Sequence, residues 1–510
     1  MIKLIILFLL LSNSAICQTN DNETIFQYFE WDLPNDGSLW KQLEDQAEAL
    51  SDRGITAVWI PPAYKNAAQN YVGYGPYDHY DLGEFEQKGT IRTKYGTKKE
   101  LISAIDRLHK FKVKVYGDVV MNHLMGADQN RWVQTSRANP WQRLETIEED
   151  VWLEIPSYFG FKGRLSQPIG SSYSDIKLGP DDFDGISMGS DSEGRPNIYL
   201  FAGKGWDYRV SREHSNYDYL MGLDLDFDSP KVAKYMKEWG QWFTNELDLD
   251  GYRIDAAKHI KFSYLKDWVE HQRESKGQIF AVAEYLSTDR TELLEYINET
   301  DGTMHVMDFP LELNFSRASR DQKYQLTSLF EGSLSQKAPD HAVTMVGSHD
   351  TQPGQVFSGK EVLPWFKPHA YTFILTRKEG IPIVFYGDYY GIPTSNRPPL
   401  QSKLDRILLA RKHFSYGEQR NFFNHEERIG WTREGDAEHP GSGLAALISN
   451  GSSGFKNMYV GSRHNGETWI DLTGNQEAKV QITNDGWGRF PVGERSYSIF
   501  VPTTAESLKN

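Results

Sequence analysis

Two acids stand at the ends of short apolar runs. Asp255 closes Gly251-Tyr252-Arg253-Ile254, and Glu284 closes Ile279-Phe280-Ala281-Val282-Ala283. They are 29 positions apart, about one strand, one helix and one loop, so two parallel strands would bring their carboxyl groups out side by side at one sheet end. Such a pair can break a glycosidic bond, one carboxylate attacking and one carboxylic acid protonating, roughly 5 to 5.5 Å apart in a retaining enzyme. Arg253 lies on the same side of its strand as Asp255 and is placed to keep that carboxylate ionised. The apolar residues before Glu284 would raise its pKa, as an acid requires. A lone Asp or Glu more often caps a strand or pairs with a surface base. Two further acids shift the balance: Asp118, within Val115-Tyr116-Gly117-Asp118-Val119-Val120-Met121-Asn122-His123, and Asp350, after Ser348-His349 and the apolar residues 343–346.

The elements that must position these acids follow from periodicity. From residue 25 to about 416, strand-like runs alternate with helical patterns, which predicts repeated βα units and a parallel barrel. The strands are expected at 25–29, 57–60, 113–120, 252–255, 279–284, 343–346 and 383–386, with a weaker eighth at 305–308. Residues 39–51 place Leu39, Leu43, Ala47 and Leu50 on one helical face, and 99–108 and 404–413 behave alike. The stretch 122–228 is far longer than a βα loop and predicts an inserted domain. After Tyr416 short strands at 443–448, 458–460, 479–482 and 496–501 predict an antiparallel β-sandwich. The expected class is α/β: a (β/α)8 TIM barrel over 18–121 and 229–416, an insertion after strand 3 over 122–228, and a C-terminal β-sandwich over 417–510.

Composition bounds the partners. Lys3 and an apolar run at 4–11, followed by small residues before Cys17, read as a secretory signal over residues 1–17, implying a secreted or periplasmic protein. Lipid anchoring at Cys17 is the rival reading, disfavoured by the bulky Ile16. Cys17 is the only cysteine, so core burial and metal ions must supply stability in place of disulfides. No run approaches the roughly 20 apolar residues of a membrane span. A net charge of −15 argues against nucleic acid and anionic membrane as partners.

The segments around Asp118, Asp255, Glu284 and Asp350 resemble the conserved regions of the α-amylase family, glycoside hydrolase family thirteen. The likeness runs from Gln27-Tyr28-Phe29-Glu30-Trp31 to Gly486-Trp487-Gly488 and is nearest the liquefying bacterial α-amylases, as in Gly54-Ile55-Thr56-Ala57-Val58-Trp59-Ile60-Pro61-Pro62 and Gly430-Trp431-Thr432-Arg433-Glu434-Gly435-Asp436. It implies Asp255 as nucleophile, Glu284 as acid/base and Asp350 as the carboxylate that binds sugar hydroxyls and stabilises the distorted ring. It places Arg253, His123 and His349 around the cleaved sugar, Tyr74 stacked beneath it, and Lys258 and His259 on the leaving-group side. Asp118 is implied as a support of the site. Gly347-Ser348 and Leu286 depart from the family pattern, and product profile is where their effect is expected.

The segment 216–228 sets Asp218, Asp224, Asp226 and Asp228 within eleven positions without Lys or Arg, a density of hard oxygen donors that suits Ca²⁺. An isolated run of this kind is more often a solvated loop. The resemblance reverses that preference: it implies a calcium held by Asn122, Asp218, Asp224 and the His259 carbonyl, and a second cluster of Asp184, Asp207 and Asp226 for another calcium and often a sodium. The function so implied is a monomeric, endo-acting α-amylase that hydrolyses internal α-1,4-glucosidic bonds of starch-like glucans with retention. The alternatives are an α-glucan transglycosylase or maltooligosaccharide-forming amylase, and a starch-binding protein without activity.

Overall fold

The computed structural model describes residues 22–166 and 173–505. The segment expected to be a signal, with Cys17, and the last five residues lie outside the described residues.

Eight parallel strands close a barrel: β1 (Ile25–Gln27), β2 (Ala57–Ile60), β3 (Lys114–Val119), β4 (Gly251–Ile254), β5 (Phe280–Ala283), β6 (His305–Met307), β7 (Ala342–Thr344) and β8 (Ile381–Phe385). Each pairs with its sequence neighbours, and β8 returns to β1. The strands are buried almost throughout because helices cover the outside and side chains fill the inside, so they read as continuous apolar runs. Most are shorter than the apolar runs suggest. Asp255, Glu284 and Asp308 each stand one residue past a strand end, where the backbone turns toward the C-terminal face that carries barrel chemistry.

The helices form for local reasons. Helix α1 (Leu39–Asp52) buries Leu39, Trp40, Leu43, Ala47 and Leu50, one stripe at helical spacing. Helix α2 (Lys98–Lys110) opens on a capping box in which Thr97 and Glu100 satisfy each other's backbone N–H groups. Helix α3 (Pro230–Leu247) starts with proline at its first position, and its Trp239 packs against Trp268 of α4 (Phe262–Lys276).

Between β3 and α3 the chain builds a six-stranded antiparallel sheet in the order His123–Leu124, Leu223–Leu225, Phe183–Ser190, Pro196–Phe201, Gln129–Asn139, Gln142–Tyr158. Its first strand follows β3 closely, so the sheet is rooted beside the C-terminal end of the barrel strands. At the C-terminus a six-stranded antiparallel sheet and the pair Gly454–Tyr459 and Trp487–Val492 enclose a second core of Leu447, Met458, Trp469, Phe490 and Phe500. The other face of that sheet joins the barrel core, and Trp431 donates its Nε1–H to Thr376 Oγ1 at 2.8 Å.

Candidate active site

The register sets Ile254 beside Ala283, so Asp255 and Glu284 leave the sheet at one level. Backbone bonds continue past both strands: Asp255 N donates to Val119 O and Glu284 N to Ile254 O, each at 2.9 Å. The next residue, Ala256, lies in the left-handed region at φ 53°. An L-residue resists that conformation by about 1–2 kcal/mol. Here the turn aims the Ala256 N–H at Glu284 Oε2, at 3.0 Å.

Arg253 ties the site together. Its Nη1 bonds Asp255 Oδ1 at 2.5 Å and Asp118 Oδ1 at 2.9 Å, and its Nη2 meets Glu284 Oε2 at 2.9 Å. One planar guanidinium therefore spans both strand-end acids, as its fork of donors allows. Side-chain exposure separates the roles: Asp118 is sealed at 0% and Arg253 at 1%, while Asp255, Glu284 and Asp350 keep 10%, 13% and 30%. Only the last three can meet a ligand. Asp118 also accepts from Tyr74 OH at 2.8 Å and Trp59 Nε1 at 3.0 Å, which makes it the anchor that Arg253 leans on.

Burial raises the pKa of Asp255, Glu284 and Asp350, and the Arg253 charge opposes the rise in each. Asp350 further raises Glu284 by like-charge repulsion and accepts a hydrogen bond from the Glu284 side chain. A bond between two carboxyls needs a proton, which Glu284 and Asp350 share. His349 is pushed down to about 3, by burial first and Arg253 second, and His123 to about 4 by burial. Both imidazoles are neutral at ordinary pH. Gln27 Nε2 donates to His349 Nδ1 at 2.9 Å, leaving Nε2 as the protonated nitrogen, 3.5 Å from Asp350 Oδ2.

Thus Asp255, Glu284, Asp350, Arg253, His349 and Tyr74 come together, and His123 joins through its Nε2 to Tyr74 O at 3.0 Å. The Tyr74 and His349 rings are stacked, centroids 4.9 Å apart and 5° from parallel. Trp31, which the sequence does not single out, lies 10° from the Tyr74 plane and extends this wall. Lys258 and His259 stand on the turn after β4 against the inserted segment: Lys258 Nζ meets Glu213 Oε1 at 2.9 Å, and His259 Nδ1 meets Tyr217 O at 2.7 Å. Leu286 is half-buried against the barrel core. Ser348 Oγ accepts the Asp350 N–H at 3.2 Å, and Thr351 Oγ1 accepts the Ser348 N–H at 3.0 Å while donating to the buried Glu312 at 3.1 Å. Glu312 and Gln27 are site supports that no local pattern announces.

The acidic segment forms a buried cluster in which Asp184, Asp218 and Asp224 each bring a carboxylate oxygen within 4.8 Å of the others. Asn122 Nδ2 donates to Asp224 Oδ1 at 3.1 Å, and Asp207 N donates to Asp218 Oδ2 at 2.8 Å. Asp184 Oδ2, Asp224 Oδ2 and both Asp207 oxygens are buried without a hydrogen-bond partner. Burial, reinforced by its neighbouring carboxylates, pushes Asp184 up to about 9. Burial does the same to Asp207, up to about 7, with Asp228 adding to it. The converging carboxylates of Asp184, Asp218 and Asp224, the first and last of which keep an oxygen without a partner, are a donor set for a divalent cation. Asp226 is different: Lys204 Nζ reaches its Oδ2 at 2.5 Å. The segment has no lysine of its own, and folding supplies one.

Comparison with known proteins gives a consistent picture. Residues 32–428 match the family described as alpha amylase, catalytic domain, and residues 444–501 the family described as alpha-amylase C-terminal. The chain is 50% identical over 500 residues to an alpha-amylase of Bacillus licheniformis, covering 97% of this chain and 96% of that one. It is 47% identical over 484 residues to a glucan 1,4-alpha-maltohexaosidase of Bacillus sp. (strain 707), covering 94% and 92%. Over 496 residues it is 39% identical to a cytoplasmic alpha-amylase of Escherichia coli (strain K12), covering 94% and 99%. The crystal structure of an Anoxybacillus alpha-amylase shares the fold, with a TM-score of 0.64 at 18% identity over 95% of this chain and 98% of that one.

Proposed function

Since this chain belongs to the α-amylase family, we propose that its strand-end carboxyls cut internal α-1,4-glucosidic bonds of starch-like glucans with retention of anomeric configuration. It is a glycoside hydrolase. Asp255 attacks the anomeric carbon as Glu284 gives its proton to the departing glycosidic oxygen, forming a glycosyl ester. Glu284, now ionised, takes a proton from water, whose oxygen attacks the same carbon and returns the Asp255 carboxylate. Asp350 and the Nε2–H of His349 bind hydroxyls of the cleaved sugar, with Tyr74 beneath it. Lys258 and His259 contact the sugar on the leaving side. The observation that carries this reading is the Arg253 guanidinium bonded to both Asp255 and Glu284, which sets the two carboxyls side by side as the reacting pair requires.

The buried cluster fits Ca²⁺. Asp218 and Asp224, joined by Asp184, would hold it together with Asn122 and the His259 carbonyl, and Asp207 with its two unpartnered oxygens and Asp226 would serve a second cation beside it. Bound there, the ion would supply positive charge that fastens the insertion to the barrel. Among the described residues no helix is long and apolar enough to cross a membrane. The N-terminal signal supports export, and the protein acts as a monomer on glucan chains.

The test is to incubate the protein with amylose, pullulan and cyclic glucans and to follow product size and anomeric form. Early mixed-length α-anomeric products from amylose are expected. Asp255→Asn should bind glucan without turning it over. Cleavage at near the parent rate by that variant would end the nucleophile assignment.

A further inference from the structure

The insertion carries a long antiparallel hairpin, Gln129–Asn139 with Gln142–Tyr158, whose register runs unbroken from Asn130 opposite Pro156 to Thr135 opposite Val151. Alternation along it is clear. Val133 and Ile155 point inward and are buried at 8% and 0%, and Leu153 packs on the core. The opposite face presents Asn130, Trp132 and Gln134 from one arm and Trp152, Glu154 and Pro156 from the other. Trp132 is 66% exposed and Trp152 58%. Trp132 pairs with Glu154 and Gln134 with Trp152, so the indoles are diagonal neighbours on one rigid face. Among the described residues neither indole stacks on another ring or donates its N–H.

We propose that Trp132 and Trp152 form a second binding platform for a neutral α-glucan chain, outside the cleft where bonds are cut. An indole offers a flat apolar face and one N–H, the complement of a sugar ring with apolar faces and hydroxyl edges. Gln134, Asn130 and Glu154 add amide and carboxylate partners around it. The face presents no Lys or Arg, and the exposed Glu149, Asp150 and Glu154 beside it repel anionic ligands. Two indoles offer far less area than the roughly 1,200 Å² of a stable protein contact, so a second protein fits poorly. The hairpin also borders the cleft: Trp141 at its turn touches His214 at 5.0 Å, and the adjoining Glu213 holds Lys258.

This inference rests on the glucan reading, and the experiment separates the two. Adsorption to granular starch is measured for Glu284→Gln and for the same protein with Trp132→Ala and Trp152→Ala. The hairpin changes should lower the partition constant about tenfold, the usual weight of a pair of aromatic anchors. A Trp132→Phe, Trp152→Phe version should recover part of the loss, and an unchanged thermal midpoint confirms folding. In the active background the alanine pair should slow granular starch digestion and leave maltotetraose hydrolysis as it was. Undiminished adsorption overturns the platform, as does a parent that self-associates through this face by sedimentation. Failure of the parent to cut maltotetraose would refute the glucan reading instead.

Discussion

Replacing Arg253 by lysine keeps one positive charge and removes the fork. The guanidinium reaches Asp118, Asp255 and Glu284 through two nitrogens at 2.9, 2.5 and 2.9 Å. A single ammonium cannot lie in all three directions, and the sealed Asp118 will hold it. Loss of two charge-assisted hydrogen bonds at about 1.5–3 kcal/mol each totals roughly 3–6 kcal/mol. That loss is divided between folding and the transition state. At about 1.4 kcal/mol per tenfold, half of it lowers kcat by about one to two orders of magnitude. The sign of the pH effect follows from the same contact. Arg253 holds the Asp255 pKa down against burial, so an ammonium drawn toward Asp118 lets it rise, and the acid limb of kcat/KM moves to higher pH. The assay is kcat and KM on a chromogenic maltoheptaoside from pH 4 to 9, with thermal midpoints beside it. A lysine variant within threefold of the parent, on an unshifted acid limb, would refute the claim that this guanidinium organises the acids.

Replacing Asp350 with asparagine removes a charge that raises Glu284, so beyond the loss of rate the alkaline limb of the residual activity should move to lower pH; an upward or absent shift contradicts the coupling. Burial pushes Glu312 up to about 8, so the folded protein retains a proton that the unfolded chain releases near pH 4.5. Its contribution to stability is present below that value and falls by roughly 1.4 kcal/mol per pH unit until about pH 8. Glu312→Gln lacks this slope, and thermal midpoints of the two proteins that run parallel from pH 5 to 9 would sink the idea. Thorough chelation should lower the midpoint and activity together, since an ion at a thousand times its Kd adds about 4 kcal/mol to the folded state; restored calcium should recover both, and indifference to chelation would mean that the cluster binds no structural metal.

The carboxylate pair was legible because strand ends are: an apolar run closing on Asp or Glu, with Arg two residues earlier, leaves a local trace that survives without coordinates. Parity put Arg253 on the Asp255 side of β4, as the structure has it. What stayed hidden depends on contacts distant in sequence or on one dihedral angle. Nothing in Asp255-Ala256-Ala257 announces that Ala256 adopts φ 53° and turns its N–H to Glu284. Gln27 sets the His349 tautomer from 322 positions away. Asp118, set aside as a support, proves to be the acceptor on which Tyr74, Trp59 and Arg253 converge. The acidic segment hides more: its carboxylates part, Asp218 and Asp224 gathering with Asp184 while Asp226 takes Lys204. Sequence distance carries no information about which carboxylates of a loop will share a point.

The division of labour between two like groups follows from counting charges. Asp118, Asp255, Glu284 and Asp350 crowd one guanidinium, and four ionised carboxylates against one cation in a buried site would be costly, so burial pushes the group toward holding protons. Asp118 and Asp255 both take hydrogen bonds from Nη1, which favours their ionised forms. Glu284 alone has an acidic neighbour, Asp350, that accepts its proton in a hydrogen bond. In the proposed reaction this shared proton lies on the side of the site that faces the ligand, where sugar hydroxyls would compete for Asp350. The two reacting acids share burial and the arginine, which bonds both, so what sets Glu284 apart from Asp255 is the like charge of Asp350 beside it.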